Sequence, residues 1–95
     1  MMETVEHKRH EMHYQGRVQG VGFRYTVRQI AASFAVTGYV RNLPDGRVQL
    51  VVEGQGREIQ RFLAEVQSHL GRHIADTQAT VSPASAAFLG FEIRF

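Results

Sequence analysis

The sequence predicts an α+β fold in which two helices cover one face of a mostly antiparallel sheet of four to five strands. Three observations favour it. The 95 residues suffice for one small core, two segments repeat apolar residues at helical spacing, and the segments around them alternate apolar and polar residues as strands do. We therefore expect one domain over residues 1–95, with residues 1–9 as a flexible N-terminus.

The first strand and the first helix are predicted on either side of a glycine-rich stretch. Alternation of Met12 and Tyr14 with polar neighbours is typical of a strand that enters the glycines at Gly16. Beyond them, apolar residues at intervals of four, three and four line one face of a helix: Phe23, Val27, Ile30 and Phe34. We expect this helix to begin near Phe23.

A hairpin is predicted next. Gly38 ends the helical region, and residues 39–42 form a strand that stops at Leu43-Pro44-Asp45-Gly46. This is a turn sequence, because proline pre-sets φ and glycine accepts a positive φ. Residues 48–53 alternate in the return strand, which Gly54 and Gly56 are expected to break.

The second helix and the last strands complete the order of elements. Apolar residues again recur at helical spacing, at Ile59, Phe62, Leu63, Val66 and Leu70. Gly71 is predicted to close this helix near a left-handed position. Residues 74–81 alternate weakly, residues 82–87 look like a loop, and residues 91–95 alternate as a closing strand. The order matches a ferredoxin-like βαββαβ sandwich, a fold that carries many unrelated functions.

Composition excludes several classes of function. Eleven Lys and Arg against nine Asp and Glu give a net charge of +2, which is weak support for a nucleic-acid partner. The lack of cysteine excludes disulfides, thiolate metal sites and a cysteine nucleophile. The first twelve residues are charged where a secretory signal needs an apolar run, and no stretch is long enough to span a membrane. We expect a soluble cytoplasmic protein without a membrane partner.

The stretch GRVQGVGFR, residues 16–24, carries the chemistry. Between a strand and a helix it exposes free backbone N–H groups at the positive end of the helix dipole, and glycines let that backbone curl around a ligand. A site of this kind favours an anionic ligand, and the Arg24 side chain can hold two phosphate oxygens at once. The P-loop and the dinucleotide fingerprint do not fit, because Phe23, Arg24 and Tyr25 stand where those motifs require other residues. The alternative is that the glycines only make a tight turn.

Two motifs together identify a family. GRVQGVGFR has the form G-x-V-Q-G-V-x-F-R, and residues 38–42, GYVRN, have the form G-x-V-x-N. The segments DGRVQLVVEG and GFEIRF match the same family, so that nearly the whole chain resembles an acylphosphatase. The resemblance implies hydrolysis of an acyl phosphate to a carboxylate and orthophosphate. It implies that Arg24 binds the phosphate, that Asn42 holds the attacking water, and that backbone amides form a cradle at Gln19, Gly20, Val21, Gly22 and Phe23. We expect no cofactor and no metal, because Arg24 and the backbone amides already oppose the phosphate charge.

The chemistry agrees with these roles. A carboxylate leaves without a general acid, because its conjugate acid has a pKa near ~4. Asn42 takes no proton at neutral pH, but its amide can accept and donate hydrogen bonds and so orient a water. Because neither motif contains His, Asp or Glu, we expect the water's proton to pass to a phosphate oxygen of the substrate. Read alone, Asn42 could instead bond the turn backbone, Arg24 could be a solvated helix residue, and Phe23 is a core residue in either case.

Other functions are weaker alternatives. An RNA-recognition domain needs aromatic residues on its central strand, whereas only Tyr14 of the first strand is available. An accessory acylphosphatase-like module of a larger maturation protein resembles this loop, but such modules continue into cysteine-rich regions. A strand places His10 on the face opposite His7 and His13, so these histidines are not expected to bind metal. His69 and His73 receive no catalytic role. We expect a monomer whose ligands are a small acyl phosphate and inorganic phosphate; the sequence leaves the acyl group open.

Overall fold

The computed structural model describes residues 6–95. Five strands form one sheet in the order β4-β1-β3-β2-β5. All neighbours are antiparallel except β2 and β5, which are parallel. The elements follow one another as β1 (His7–Gly16), α1 (Phe23–Ala31), β2 (Val36–Asn42), β3 (Val48–Gln55), α2 (Gly56–Leu70), a short 3₁₀ turn (Gly71–His73), β4 (Ile74–Pro83) and β5 (Phe91–Arg94). The predicted α+β, ferredoxin-like fold is confirmed.

The hydrophobic core lies between the two helices and one face of the sheet. The predicted apolar stripes supply it, since Phe23 and Val27 of α1 and Ile59 and Phe62 of α2 are buried. Each contributes about 1.5–3 kcal/mol by leaving water. Alternate residues of the central strand β3 complete the core from the sheet side, namely Val48, Leu50 and Val52, all with no exposed surface. The helices thus cover one face, as the sequence predicts.

The β2–β3 hairpin has the predicted turn. Asn42 pairs with Val48 as the last residues of the ladder. The Leu43 amide then donates to the Arg47 carbonyl at 2.8 Å, and the Gly46 amide, at a positive φ of 95°, donates to the Leu43 carbonyl at 3.1 Å. These bonds fix the end of β2 and therefore the position of Asn42.

The strands are longer than the sequence indicates. β1 begins at His7 rather than Met12, so residues 7–9 of the segment expected to be flexible pair with β3, while residues 1–5 lie outside the described residues. β2 begins at Val36, and Gly38 lies inside it instead of ending the helix. A Cβ at Gly38 would collide with the Val51 carbonyl, so the glycine there permits close strand contact.

Two further strand boundaries and the conformation of one glycine were predicted wrongly. β3 continues through Gly54 to Gln55, because backbone pairing with β1 and β2 continues through that glycine. The predicted end of α2 at Gly71 is confirmed, since Gly71 is the C-cap of the helix. Its conformation is right-handed (φ −56°) rather than left-handed, because the chain continues into a 3₁₀ turn. β4 extends to Pro83, into the predicted loop, and its alternation is weak because it is an edge strand with almost every residue exposed.

Candidate active site

The carboxyl ends of three strands lie at the same end of the sheet. β1 and β2 both run antiparallel to β3 and are therefore parallel to each other, and β5 runs parallel to β2. The glycine loop follows β1, Asn42 ends β2, and Phe95 follows β5. A cleft of about 170 Å³ lies at this end of the sheet and is lined by Val18, Gly20, Gly22, Phe23, Arg24, Tyr25, Asn42, Ile93 and Phe95.

The loop that leads into α1 borders this cleft, and two of its glycines have a positive φ. Gly20 and Gly22 have φ of 78° and 75°, a left-handed conformation that favours glycine, although a Cβ at either position would meet open space. Gly22 is the N-cap of α1; no side chain caps the helix there, and its first turn carries no acidic residue. The first N–H groups of α1 and its positive dipole end are thus available to an anion.

Arg24 adds the positive charge of the cleft. It lies in the first turn of α1, and its guanidinium carbon is 4.8 Å from the centroid of the Phe95 ring. None of the ion pairs within residues 6–95 includes Arg24. A guanidinium stacked on an aromatic ring keeps its N–H fork free to hold a phosphate in two places.

Asn42 lines the same cleft and has an unpaired polar atom. Its Oδ1 atom is buried and accepts no hydrogen bond from any other described residue. A buried polar atom without a partner costs about 1–3 kcal/mol, so such an atom on a residue that lines a cleft points to a water or a ligand. The alternative that Asn42 Oδ1 bonds the turn backbone does not hold in this structure.

Gln19 has a structural role that the sequence did not reveal. Its side-chain Nε2 donates to the Leu43 carbonyl at 2.9 Å and to the Arg47 carbonyl at 3.0 Å. These two bonds tie the glycine loop to the turn that follows Asn42. The sequence predicted only an amide of Gln19 in the cradle, and nothing in a loop glutamine indicates which distant carbonyls it reaches.

The predicted site residues fall into two groups. Arg24, Asn42 and Phe23 line the cleft together with the two glycines of the loop. Gln19 and Val21 flank those glycines without lining it; the Val21 side chain is instead exposed. Tyr25, Ile93 and Phe95 also line the cleft, although the sequence assigned them no part in the site.

The histidines lie away from this cleft. His10 is buried on the helix-covered face of β1, where burial foremost and the Lys8 charge lower its pKa. His69 in the last turn of α2 places Nδ1 2.8 Å from the Glu65 carbonyl. Within residues 6–95, no group of three His, Cys, Asp or Glu side chains is arranged to hold a metal ion. No helix in this part of the chain is long and apolar enough to cross a membrane.

The fold and the cleft define a small α+β protein with a cleft at the start of its first helix. The family model described as Acylphosphatase matches residues 10–93. An acylphosphatase of Rubrobacter xylanophilus is 41% identical over 97 residues, covering 99% of this chain and 86% of that protein. The chain therefore belongs to the acylphosphatase family and is an acylphosphatase enzyme.

Solved structures agree with this assignment. The crystal structure of acylphosphatase from Bacillus subtilis superposes with a TM-score of 0.83 at 31% identity, covering 93% of this chain and 99% of that one. The crystal structure of HypF from T. kodakarensis is also 31% identical, with a TM-score of 0.79, but this chain matches only 12% of its length. The fold is thus shared between a small acylphosphatase and one part of a much larger protein.

Proposed function

We propose that the protein hydrolyses acyl phosphates with Arg24 as the phosphate-binding residue and Asn42 as the residue that holds the attacking water. The observation that carries this proposal is that Asn42, whose buried Oδ1 accepts no hydrogen bond from the described residues, lines the same cleft as Arg24 and the start of α1. One group binds the anion, and the other offers a hydrogen-bond acceptor beside it.

The phosphate binds first, to backbone and side chain together. Amides of the loop at Gln19, Gly20, Val21, Gly22 and Phe23 are the proposed cradle, and the Arg24 guanidinium holds two phosphate oxygens. Phosphoryl transfer spreads its developing charge over the equatorial oxygens, so fixed donors of this kind supply most of the catalysis. The uncapped start of α1, without an acidic residue in its first turn, supports this step.

The water is oriented by the Asn42 side chain. Its Oδ1 accepts one hydrogen bond from the water, and its Nδ2 donates another, so that the water oxygen faces phosphorus. None of the described residues that line the cleft is His, Asp or Glu. The water's proton therefore passes to a phosphate oxygen of the substrate.

The leaving group departs as a carboxylate. The new bond joins the water oxygen to phosphorus, and the bond between phosphorus and the acyl oxygen breaks with its electron pair on the carboxylate. The products are a carboxylate and orthophosphate. A carboxylate is a weak base and needs no proton from the enzyme.

Hydrolysis of benzoyl phosphate without added metal tests the proposal, with Arg24→Gln and Asn42→Ala beside the wild type. Arg24→Gln should lose about 10²- to 10³-fold in kcat, the typical cost of one preorganised donor, and should no longer be inhibited by phosphate. Asn42→Ala should lose kcat but keep phosphate inhibition, because water orientation acts on the chemical step. Arg57→Gln is the matched control, since Arg57 is an exposed arginine in the first turn of the other helix, α2, and does not line the cleft.

Two results would contradict these roles. Equal loss of phosphate inhibition in both variants would mean that Asn42 binds the anion rather than the water. A kcat that depends on an enzyme base titrating near neutral pH would refute proton transfer to the substrate. A folded wild type that binds phosphate without turnover would favour the alternative function, an accessory phosphate-binding module.

A further inference from the structure

Exposed apolar side chains gather around the phosphate cleft. The large hydrophobic residues most exposed in the described chain are Val21 at 39%, Tyr25 at 56%, Val81 at 54%, Leu89 at 106% and Phe95 at 99%. Tyr25 and Phe95 line the cleft, and Val21 lies between its two lining glycines. Exposed apolar groups that cluster beside a site point to a ligand surface.

We propose that Val21, Tyr25 and Phe95 form an apolar rim that binds the acyl part of the substrate and selects aromatic or bulky hydrocarbon acyl groups. The inference rests on the proposed function, because it takes the phosphate to occupy the cradle. With the phosphate held at the start of α1, the acyl group projects out of the cleft, where it meets this rim.

The contact between Phe95 and Arg24 places the rim next to the reacting atoms. The Arg24 guanidinium covers the Phe95 ring at 4.8 Å from its centroid, and yet Phe95 stays almost fully exposed. The acyl carbon is only one oxygen away from the phosphorus, so a substrate held by Arg24 carries its acyl group within reach of this ring. An aromatic acyl group can then pack on the Phe95 ring in the offset or edge-to-face arrangement that aromatic pairs prefer.

The same lining disfavours charged acyl groups. Among the described residues, Arg24 and Asn42 are the only polar side chains that line the cleft apart from the Tyr25 hydroxyl, and the phosphate and the water occupy them. A polar acyl group, such as the side chain of a phosphorylated aspartate within its peptide, therefore finds no partner, whereas a hydrocarbon group loses contact with water on the rim.

Comparison of benzoyl phosphate with acetyl phosphate tests the rim. The quantity to measure is the ratio of kcat/KM for the two substrates, each divided by its rate of hydrolysis without enzyme. Both substrates carry the same phosphate, so any effect of Phe95 on Arg24 cancels in the ratio. The wild type should favour benzoyl phosphate, and Phe95→Ala and Tyr25→Ala should each lower the ratio by about two- to tenfold, the value of one aromatic pair.

Matched controls isolate the rim from general surface effects. Leu89→Ala removes an equally exposed side chain outside the cleft, and Tyr25→Phe keeps the ring, so both should leave the ratio unchanged. A ratio that stays at the wild-type value in Phe95→Ala and Tyr25→Ala overturns the proposal, even if both activities fall together. Failure of the proposed function has a different signature, namely a wild type inactive on both substrates.

Discussion

Replacement of Glu53 by Gln tests how the segment between β4 and β5 is held. Glu53 lies in the central strand β3 and is 3% exposed. Its carboxylate accepts four hydrogen bonds: from the Ser85 amide at 3.0 Å, the Ser85 hydroxyl at 2.7 Å, the Ala86 amide at 2.9 Å and Arg9 Nη1 at 3.3 Å. One buried charge thus joins β1, β3 and the chain that leads into β5.

These bonds also set the pH dependence. Burial alone raises the pKa of Glu53, but the Ser85, Ala86 and Arg9 donors outweigh it and hold the pKa below its ordinary 4.5. A carboxyl whose pKa is lowered by folding stabilises the protein above its unfolded pKa, and this contribution is lost as the pH falls through the folded-state pKa. The contribution of Glu53 is therefore complete at pH 7 and disappears in acid below 4.5.

The expected loss of stability in Glu53→Gln follows from the hydrogen bonds that the Glu53 carboxylate accepts. A hydrogen bond to a charged group contributes about 1.5–3 kcal/mol, but the four bonds share one carboxylate and the loop amides can regain water. Gln keeps the volume, removes the charge and turns an NH₂ group toward donors. We expect Glu53→Gln to lower the free energy of unfolding by about 2–3 kcal/mol at pH 7.

Urea denaturation at several pH values between 7 and 2 measures this difference. The stability gap between wild type and Glu53→Gln should close as the pH falls below 4.5. Glu92→Gln is the control, since Glu92 is an exposed carboxylate paired with Arg94, and it should change stability by about 0.5 kcal/mol or less. A Glu53→Gln variant as stable as wild type at pH 7, or a gap that does not depend on pH, would refute the reasoning.

Two further substitutions probe the frame of the site. Gln19→Leu removes both hydrogen bonds to the Leu43 and Arg47 carbonyls and should lower the free energy of unfolding in urea by about 1–2 kcal/mol. It should also lower kcat/KM, because the glycine loop is then no longer bonded to the turn. An unchanged kcat/KM would mean that these bonds do not position the site. Gly38→Ala places a Cβ against the Val51 carbonyl and should lower the free energy of unfolding, measured by thermal denaturation, by about 3 kcal/mol or more. A melting temperature equal to that of the wild type would contradict the close strand contact.

The helices could be predicted because their signal is local. Three of the four apolar residues of the predicted stripe lie in α1, and its predicted start at Phe23 is confirmed. Phe34 lies beyond the helix, which ends at Ala31. Strand ends depend on pairing with distant chain, which spacing does not encode. Gly38 and Gly54 therefore look like breaks in the sequence, although in the sheet they are positions where neighbouring backbone comes close.

In the candidate site, too, local features could be predicted from the sequence and tertiary contacts could not. A glycine loop before a helix, followed by Arg24, can be read as an anion site from the residues alone. That reading does not reveal which groups surround it. The ring of Phe95 over Arg24 depends on β5 lying parallel beside β2, and the bonds of Gln19 depend on how the hairpin turn is folded. Side-chain partners of this kind follow from tertiary structure.

The position of Asn42 shows how strand alternation determines which side chain can act. Val40 is fully buried on the helix-covered face of β2, so Asn42, two residues on, points to the same side, where α1 begins. Arg41 points to the opposite side and bonds Gln49 at 2.6 Å. A shift of one residue in the pairing of β2 would exchange these directions and bring Arg41 to the cleft. The proposed water site thus depends on the register that the hairpin turn fixes, and Gln19 binds that same turn from the glycine loop.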